Sequence, residues 1–234
     1  MIPLRDDNPA ALTPLVTVAL IGACTLIFLW QSSLGSKAYV QAIYGLGFIP
    51  AVFFTDIRLP PELVMAPTWF TVFSSMFLHG GFMHLIGNML YLWIFGNNVE
   101  DSMGHRRFLV FYLTCGVIAA LGQSMLNPES EIPMIGASGA ISGVLGAYLL
   151  LFPRAQVEVL IPFGLLLQRM RLPASWVLGL WFGMQLLNST LTSADQGGVA
   201  FAAHASGFVA GMALIPFFKY PRVRLYRRTG NRRY

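Results

Sequence analysis

Apolar residues in this chain come in long, nearly unbroken runs separated by short polar stretches, and not at the spacing of a half-buried helix or strand. Six runs, at about 13–31, 82–97, 108–126, 135–152, 174–191 and 199–218, approach the roughly 20 residues a helix needs to cross a bilayer core. A helix that is apolar all round buries itself in protein or in lipid. The pattern predicts an all-α polytopic membrane protein, a bundle of six transmembrane helices forming one domain over 1–218. The run at 82–97 is short, and would begin near Trp69 if "WFTVFSSMFLHGG" continued the helix. The first run has an apolar core too long for a signal peptide, and "QSSLGSKA" behind it makes a poor cleavage site.

One further apolar segment, "YVQAIYGLGFIPAVFF" at 39–54, is broken by glycines and a proline. It reads as a hairpin or short helices half-submerged in the outer leaflet, within an outer membrane-associated loop at 32–68. Charge supports that reading. With six spans both termini share a side, and that side holds Arg5, Arg106, Arg107, Arg154, Arg169, Arg171 and the basic residues of the tail at 219–234. These are thirteen of the fifteen Lys and Arg, leaving Lys37 and Arg58 opposite. Basic loops stay in the cytoplasm, so both termini are expected there; a seventh span would turn most of these charges outward.

Composition agrees: 56% of the 234 residues are hydrophobic and 11% are charged, too little polar surface for a water-soluble domain of this size. Cys24 and Cys115 both lie in apolar runs and read as core fillers. The basic tail is explained by anionic lipid at the cytoplasmic surface, so the lipid bilayer is an expected partner and nucleic acid is not. No long transit segment is evident, which favours a bacterial inner membrane over an organelle.

Polar groups inside spans are costly and become functional suspects. His84 and Asn88 stand four apart in "HLIGN" and share a helix face. Ser138 lies near the start of the fourth run, and His204 near the start of the sixth. Under the charge-derived orientation all four fall in the first turns of helices that begin at the outer surface, so three segments deliver polar groups to one layer. Gly139 and Gly143 on the fourth run, and Gly207 and Gly211 on the sixth, are G-x-x-x-G pairs that let two helices approach closely. A hydroxyl and an imidazole need that closeness. Helix pairing alone, with Ser138 and Ser142 as interhelical hydrogen-bonders, remains an alternative for "GASG". His105, beside Arg106, reads as a solvated residue at the cytoplasmic edge, and His79 would not share a helical face with His84.

Taken together, "FLHGGFMHLIGNMLYLWIFGNNVED", "GASGAISGVLGAY" and "AHASGFVAG" resemble the three signatures of the rhomboid family of intramembrane serine proteases, in order and on its second, fourth and sixth helices. "EDSMGHRRFLVFYL" also matches, with Glu100, Gly104 and Arg107 at family positions. The resemblance covers about 65–218. It implies a six-helix core with an active site facing the extracytoplasmic side, and cleavage of membrane-anchored proteins in or near their transmembrane segment.

Serine-based hydrolysis needs a base, and His204 is the histidine on a helix able to pack glycine-to-glycine against Ser138. Asp195 lies nine residues upstream in a loop, so a Ser138–His204 dyad is expected instead of a triad. Ser138 is favoured over Ser142 because its amide, at a helix start, is free to face an oxyanion. His84 and Asn88 would complete the oxyanion hole with the Ser138 backbone. Gly136, Gly139, Gly143, Gly207 and Gly211 support the packing. Neither cofactor nor metal is called for, since a haem or metal site on His84 and His204 would lack further suitable ligands. A mobile cap over Gly197 and Gly198, and lateral substrate entry between the second and fifth helices, complete the expectation.

The sequence departs from the family in three places. Where members often carry an aromatic ring one turn after the nucleophile, packed on the histidine, this chain has Ser142. Another ring or a hydrogen bond must then hold His204. The "WR" pair of some members is absent from the first outer loop, and Ser206 replaces a glycine before Gly207. A rhomboid-like protein that binds transmembrane clients without cutting them is the alternative function. A transporter would show polar or broken helices reaching both faces.

Overall fold

A computed structural model describes residues 1–163, 166–191 and 200–226. Among these residues the α-helices are α1 (Leu15–Ser33), α2 (Ser36–Leu46), α3 (Pro50–Phe54), α4 (Thr68–Ser74), α5 (Phe82–Met103), α6 (His105–Ser124), α7 (Ser138–Leu151), α8 (Ala174–Leu191) and α9 (Phe201–Phe218). Each of the six long apolar runs corresponds to one long helix, α1 or one of α5 to α9. By length and composition, α1, α6 and α9 can cross a membrane, and α7 is apolar but shorter. Large apolar side chains face outward in numbers a water-soluble surface does not carry, among them Leu26, Trp30, Trp93, Trp176 and Met184. The chain is an integral membrane protein.

α5 does not reach back to Trp69. α4 and a 3₁₀ turn at Ser75–Phe77 end before Leu78, and α5 starts anew after Gly80 and Gly81. The segment at 39–54 forms parts of α2 and all of α3, two short helices separated by Gly47.

An all-α chain is not what forms. Strands β1 (Ile2–Asp6), β2 (Gln156–Phe163) and β3 (Leu166–Pro173) make an antiparallel sheet in the order β1-β2-β3. The cause is a local period of two: in "QVEVLIPF" Val157 and Val159 are buried while Glu158 between them points the other way. Arg5 on β1 donates its Nε–H to Glu158 at 2.8 Å, and that bond lowers the Glu158 carboxyl from its ordinary range.

α7 occupies the centre and packs on α5, α6, α8 and α9. Its residues from Ala140 to Tyr148 are all buried. Glycines set the distance to α9. A Cβ on Gly207 would run into the carbonyl oxygen of Gly139, one on Gly211 into that of Gly143, and one on Gly146 into that of Phe208. The two backbones touch, as the paired G-x-x-x-G spacing requires. Ser206 does not loosen this seam, because Gly122 on α6 stands opposite and a Cβ there would collide with the Ser206 hydroxyl.

Glu100, at the end of α5, is wholly buried and anchors α1. It accepts the Val16 and Thr17 amides at 2.9 and 2.8 Å, the Thr17 hydroxyl at 2.7 Å, and lies 2.5 Å from His105 Nδ1. His105 is therefore not a merely solvated residue: it pairs with a buried carboxylate. Asp6 on β1 accepts the Tyr148 hydroxyl at 2.5 Å and the Asn98 amide at 2.9 Å, which ties the sheet to the ends of α7 and α5. Burial, with Asp7 adding to it and the Tyr148 bond opposing, raises the Asp6 carboxyl to about 6.

Candidate active site

The site gathers at the opposite ends of α5 and α7, beside the start of α9. Gly136, at φ +121°, turns the chain into α7 in a conformation that L side chains avoid. A Cβ there would also lie 2.8 Å from the His84 ring. Two residues on, Ser138 opens the helix, where N–H groups of the first turn lack intrahelical partners. His204 sits in the first turn of α9, and the glycine seam brings its Nε2 to 2.7 Å from Ser138 Oγ.

His204 is held from its other side by α8. Gln185 places Oε1 2.8 Å from Nδ1, and the Trp181 ring lies over the imidazole at 5.9 Å between centroids, tilted 33°. A ring and a hydrogen bond, four residues apart on one helix face, thus stand in for the aromatic that Ser142 displaces. Ser142 donates its hydroxyl to the Ser138 carbonyl at 2.6 Å, a bond within its own helix. Because an amide oxygen can only accept, the proton of the neutral imidazole belongs on Nδ1, leaving the Nε2 lone pair toward Ser138.

α5 contributes the other wall. The Gly80 amide donates to His84 Nδ1 at 3.3 Å, which puts the His84 proton on Nε2, the nitrogen facing Gly136. Asn88 is 8% exposed, and its Nδ2 has no partner. A buried amide donor without an acceptor is costly and calls for a reason. His79 lies in the loop before α5, yet its ring meets that of His84 at 5.2 Å, edge to face. Gln31 of α1 clamps its backbone by accepting the His79 amide at 3.1 Å and donating to its carbonyl at 3.3 Å.

His84, Asn88, Ser138, Trp181, Gln185 and His204 border one cavity of about 1040 Å³. Hydroxyl, imidazole and unpaired donors thus face a shared space. Of the residues singled out in the sequence, Ser138, His204, His84, Asn88, Gly136 and Gly139 line the cavity, and Gly143, Gly207 and Gly211 lie in the contact between α7 and α9. Asp195, Gly197 and Gly198 lie outside the described residues, as does 227–234 of the basic tail. Sequence reasoning misses Gln185 and Trp181. A glutamine in the apolar run "GLWFGMQLLN", one turn from a tryptophan, was the available signal.

A model of the rhomboid domain matches residues 66–221, more than half of the chain. The chain belongs to the rhomboid family. Among its rhomboid relatives, the rhomboid protease GluP of Bacillus subtilis (strain 168) is 39% identical over 88 residues, which is 38% of this chain and 17% of that protein. The putative rhomboid protease YdcA of the same organism is 36% identical over 81 residues, 35% of this chain and 40% of the relative. Rhomboid protein 1, mitochondrial, of Saccharomyces cerevisiae is 30% identical over 149 residues, 61% of this chain and 40% of the relative. The chain thus spans well under two thirds of the length of these relatives. Rhomboid relatives occur in bacteria, mitochondria and chloroplasts.

Proposed function

We propose that this rhomboid is an intramembrane serine endopeptidase that cleaves membrane-anchored proteins in or near their transmembrane segment. The observation that carries the reading is the 2.7 Å contact between Ser138 Oγ and His204 Nε2 on the wall of a cavity large enough for an unwound peptide and water. As Oγ attacks the scissile carbonyl carbon, its proton passes to Nε2. The oxyanion that forms takes hydrogen bonds from the Asn88 amide, His84 Nε2–H and the Ser138 backbone N–H, and Asn88 then has the acceptor it otherwise lacks. Collapse of the tetrahedral adduct breaks the C–N bond, and His204 gives its proton to the departing amine. Water then attacks the acyl ester with His204 as base, and Ser138 recovers its proton with release of the new carboxyl end.

The domain would be a six-span core over 1–218, with the outer loop at 32–68 and the basic tail at 219–234. Both termini would be cytoplasmic in a bacterial inner membrane, with the site facing the extracytoplasmic side. α7, at 14 residues, spans about 21 Å, short of a core of about 30 Å, so a helix start sunk below the surface suits it. Substrates must unwind locally, because a peptide bond in a regular helix is shielded. Transmembrane proteins with helix-breaking residues at the cut fit best.

The test is cleavage of a transmembrane substrate by purified protein in detergent. Ser138→Ala is expected to abolish cutting and Ser142→Ala to retain it. Cleavage that survives in Ser138→Ala and stops in Ser142→Ala overturns the nucleophile; binding of the substrate without cutting by wild type favours the client-binding alternative.

A further inference from the structure

We propose that Gln185 is the positioning residue for His204, a neutral third member behind the pair, and that the base is armed only while α8 is seated against α9. The inference rests on the reading of Ser138 and His204 as nucleophile and base, and deepens it.

A histidine can serve as base at Nε2 only in the tautomer that carries its proton on Nδ1. Left to itself, an imidazole held at one nitrogen alone can rotate or present the wrong nitrogen. Gln185 Oε1, 2.8 Å from Nδ1, accepts the proton of the productive tautomer and no other. The group behind His204 is thus an amide and not a carboxylate; the carboxylates of the described ion pairs are Glu158 on β2 and Glu100 at the far end of α5. An amide fixes orientation without a full counter-charge for the imidazolium that forms after proton transfer. Among the described residues, the other titratable group that faces His204 is His84 of α5; α6 offers the Gln123 amide, whose Oε1 accepts the Ala203 amide at 3.0 Å, and α7 offers Ser138.

The support comes from a helix other than those that carry the pair. Trp181 covers the ring one turn before Gln185, and its own ring also meets Phe208 at 6.0 Å, while Phe182 stacks on Phe208 at 4.5 Å. Seating of α8 is thus an aromatic contact with α9, independent of the seam that holds α7. A shift of α8 away from α9 removes both the hydrogen bond and the covering ring, and leaves Ser138 and His204 side by side but untuned.

Two readouts test this in membranes: the rate at which a fluorophosphonate labels Ser138, which requires an armed base but no transmembrane substrate, and the pH profile of substrate cleavage. Gln185→Leu is expected to slow labelling and kcat by about 10- to 100-fold with KM little changed, below the loss of about 10⁴ seen when a carboxylate partner presents the wrong tautomer. Gln185→Glu is expected to recover activity over Gln185→Leu. Its carboxylate favours the imidazolium, so the acid limb of the profile moves to higher pH, by about one unit or more. Wild-type labelling in Gln185→Leu overturns the proposal. So does an equal loss in both variants with an unmoved profile, the mark of a packing role. If wild type and Ser138→Ala label and cut alike, it is the protease reading that fails.

Discussion

Two clusters of buried polar side chains lie at opposite ends of the same two helices, and they are built differently. At the end of α5, Glu100 is fully buried and saturated: two amides, a hydroxyl and an imidazole surround its carboxylate. Beside it Asp6 gathers Tyr148 and Asn98. At the start of α5, Asn88 is as good as buried and keeps an unpaired donor, and its neighbours border a cavity. Burial of polar groups is common to both. What separates them is that one cluster has spent its hydrogen bonds on the fold and the other holds some in reserve.

That contrast can be broken by substitution. The largest effect belongs to the saturated end: Glu100→Ala strands the Val16 and Thr17 amides and the His105 ring, and is expected to cost about 3–5 kcal/mol of stability, read as a fall in thermal midpoint in detergent. Next comes the reserve end, where Asn88→Ala is expected to lower kcat by about 10²–10³ while the thermal midpoint holds or rises, since no bond in the resting protein is lost. If Asn88→Ala unfolds the protein instead, the contrast collapses. Packing near the site gives a smaller effect. Gly122→Ala drives a methyl into Ser206 and is expected to cost about 1–3 kcal/mol, and Ser206→Gly in the same chain should restore the midpoint.

Asp6→Asn should have the smallest effect and the opposite sign. The Asp6 carboxyl sits at about 6 when folded against an ordinary value of 3.8, so the folded state holds more protons than the unfolded one between those values. Its share of stability is therefore full below about 4 and falls as pH rises through 6. Asparagine still accepts the Tyr148 hydroxyl. At neutral pH the variant is expected to melt about 2–4 °C higher, an increment on the order of 1 kcal/mol, and to lose the dependence between pH 4 and 6.

The helices were legible because lipid asks one thing of a sequence, an apolar run of given length, and six such runs stand out between Leu15 and Phe218. Ser138 and His204 were legible for a related reason: the glycines that bring them together carry a spacing visible in one dimension. Neither rule reaches the sheet. β2 alternates clearly enough, but β1 is five residues long and pairs with a partner more than 150 residues away, and no local pattern announces such a match. Gln185 was missed for the same cause. Its partner is 19 residues on, on another helix, and nothing in "GMQLLN" says which way the amide turns. The pairing of Gly122 with Ser206 likewise joins two helices distant in sequence, so nothing local shows that the room for the Ser206 side chain is made on α6.

The pairing of Ile2 with Leu160 also orders events in time. A nascent chain leaves the ribosome amino end first, so β1 is synthesised long before the strand it needs. It waits, unpaired, while the segments that become α1 through α7 are made. Only when β2 emerges can β1 be sewn to it, and that late stitch, through the Asp6 contact with Tyr148, fastens the far end of the helix that starts with Ser138.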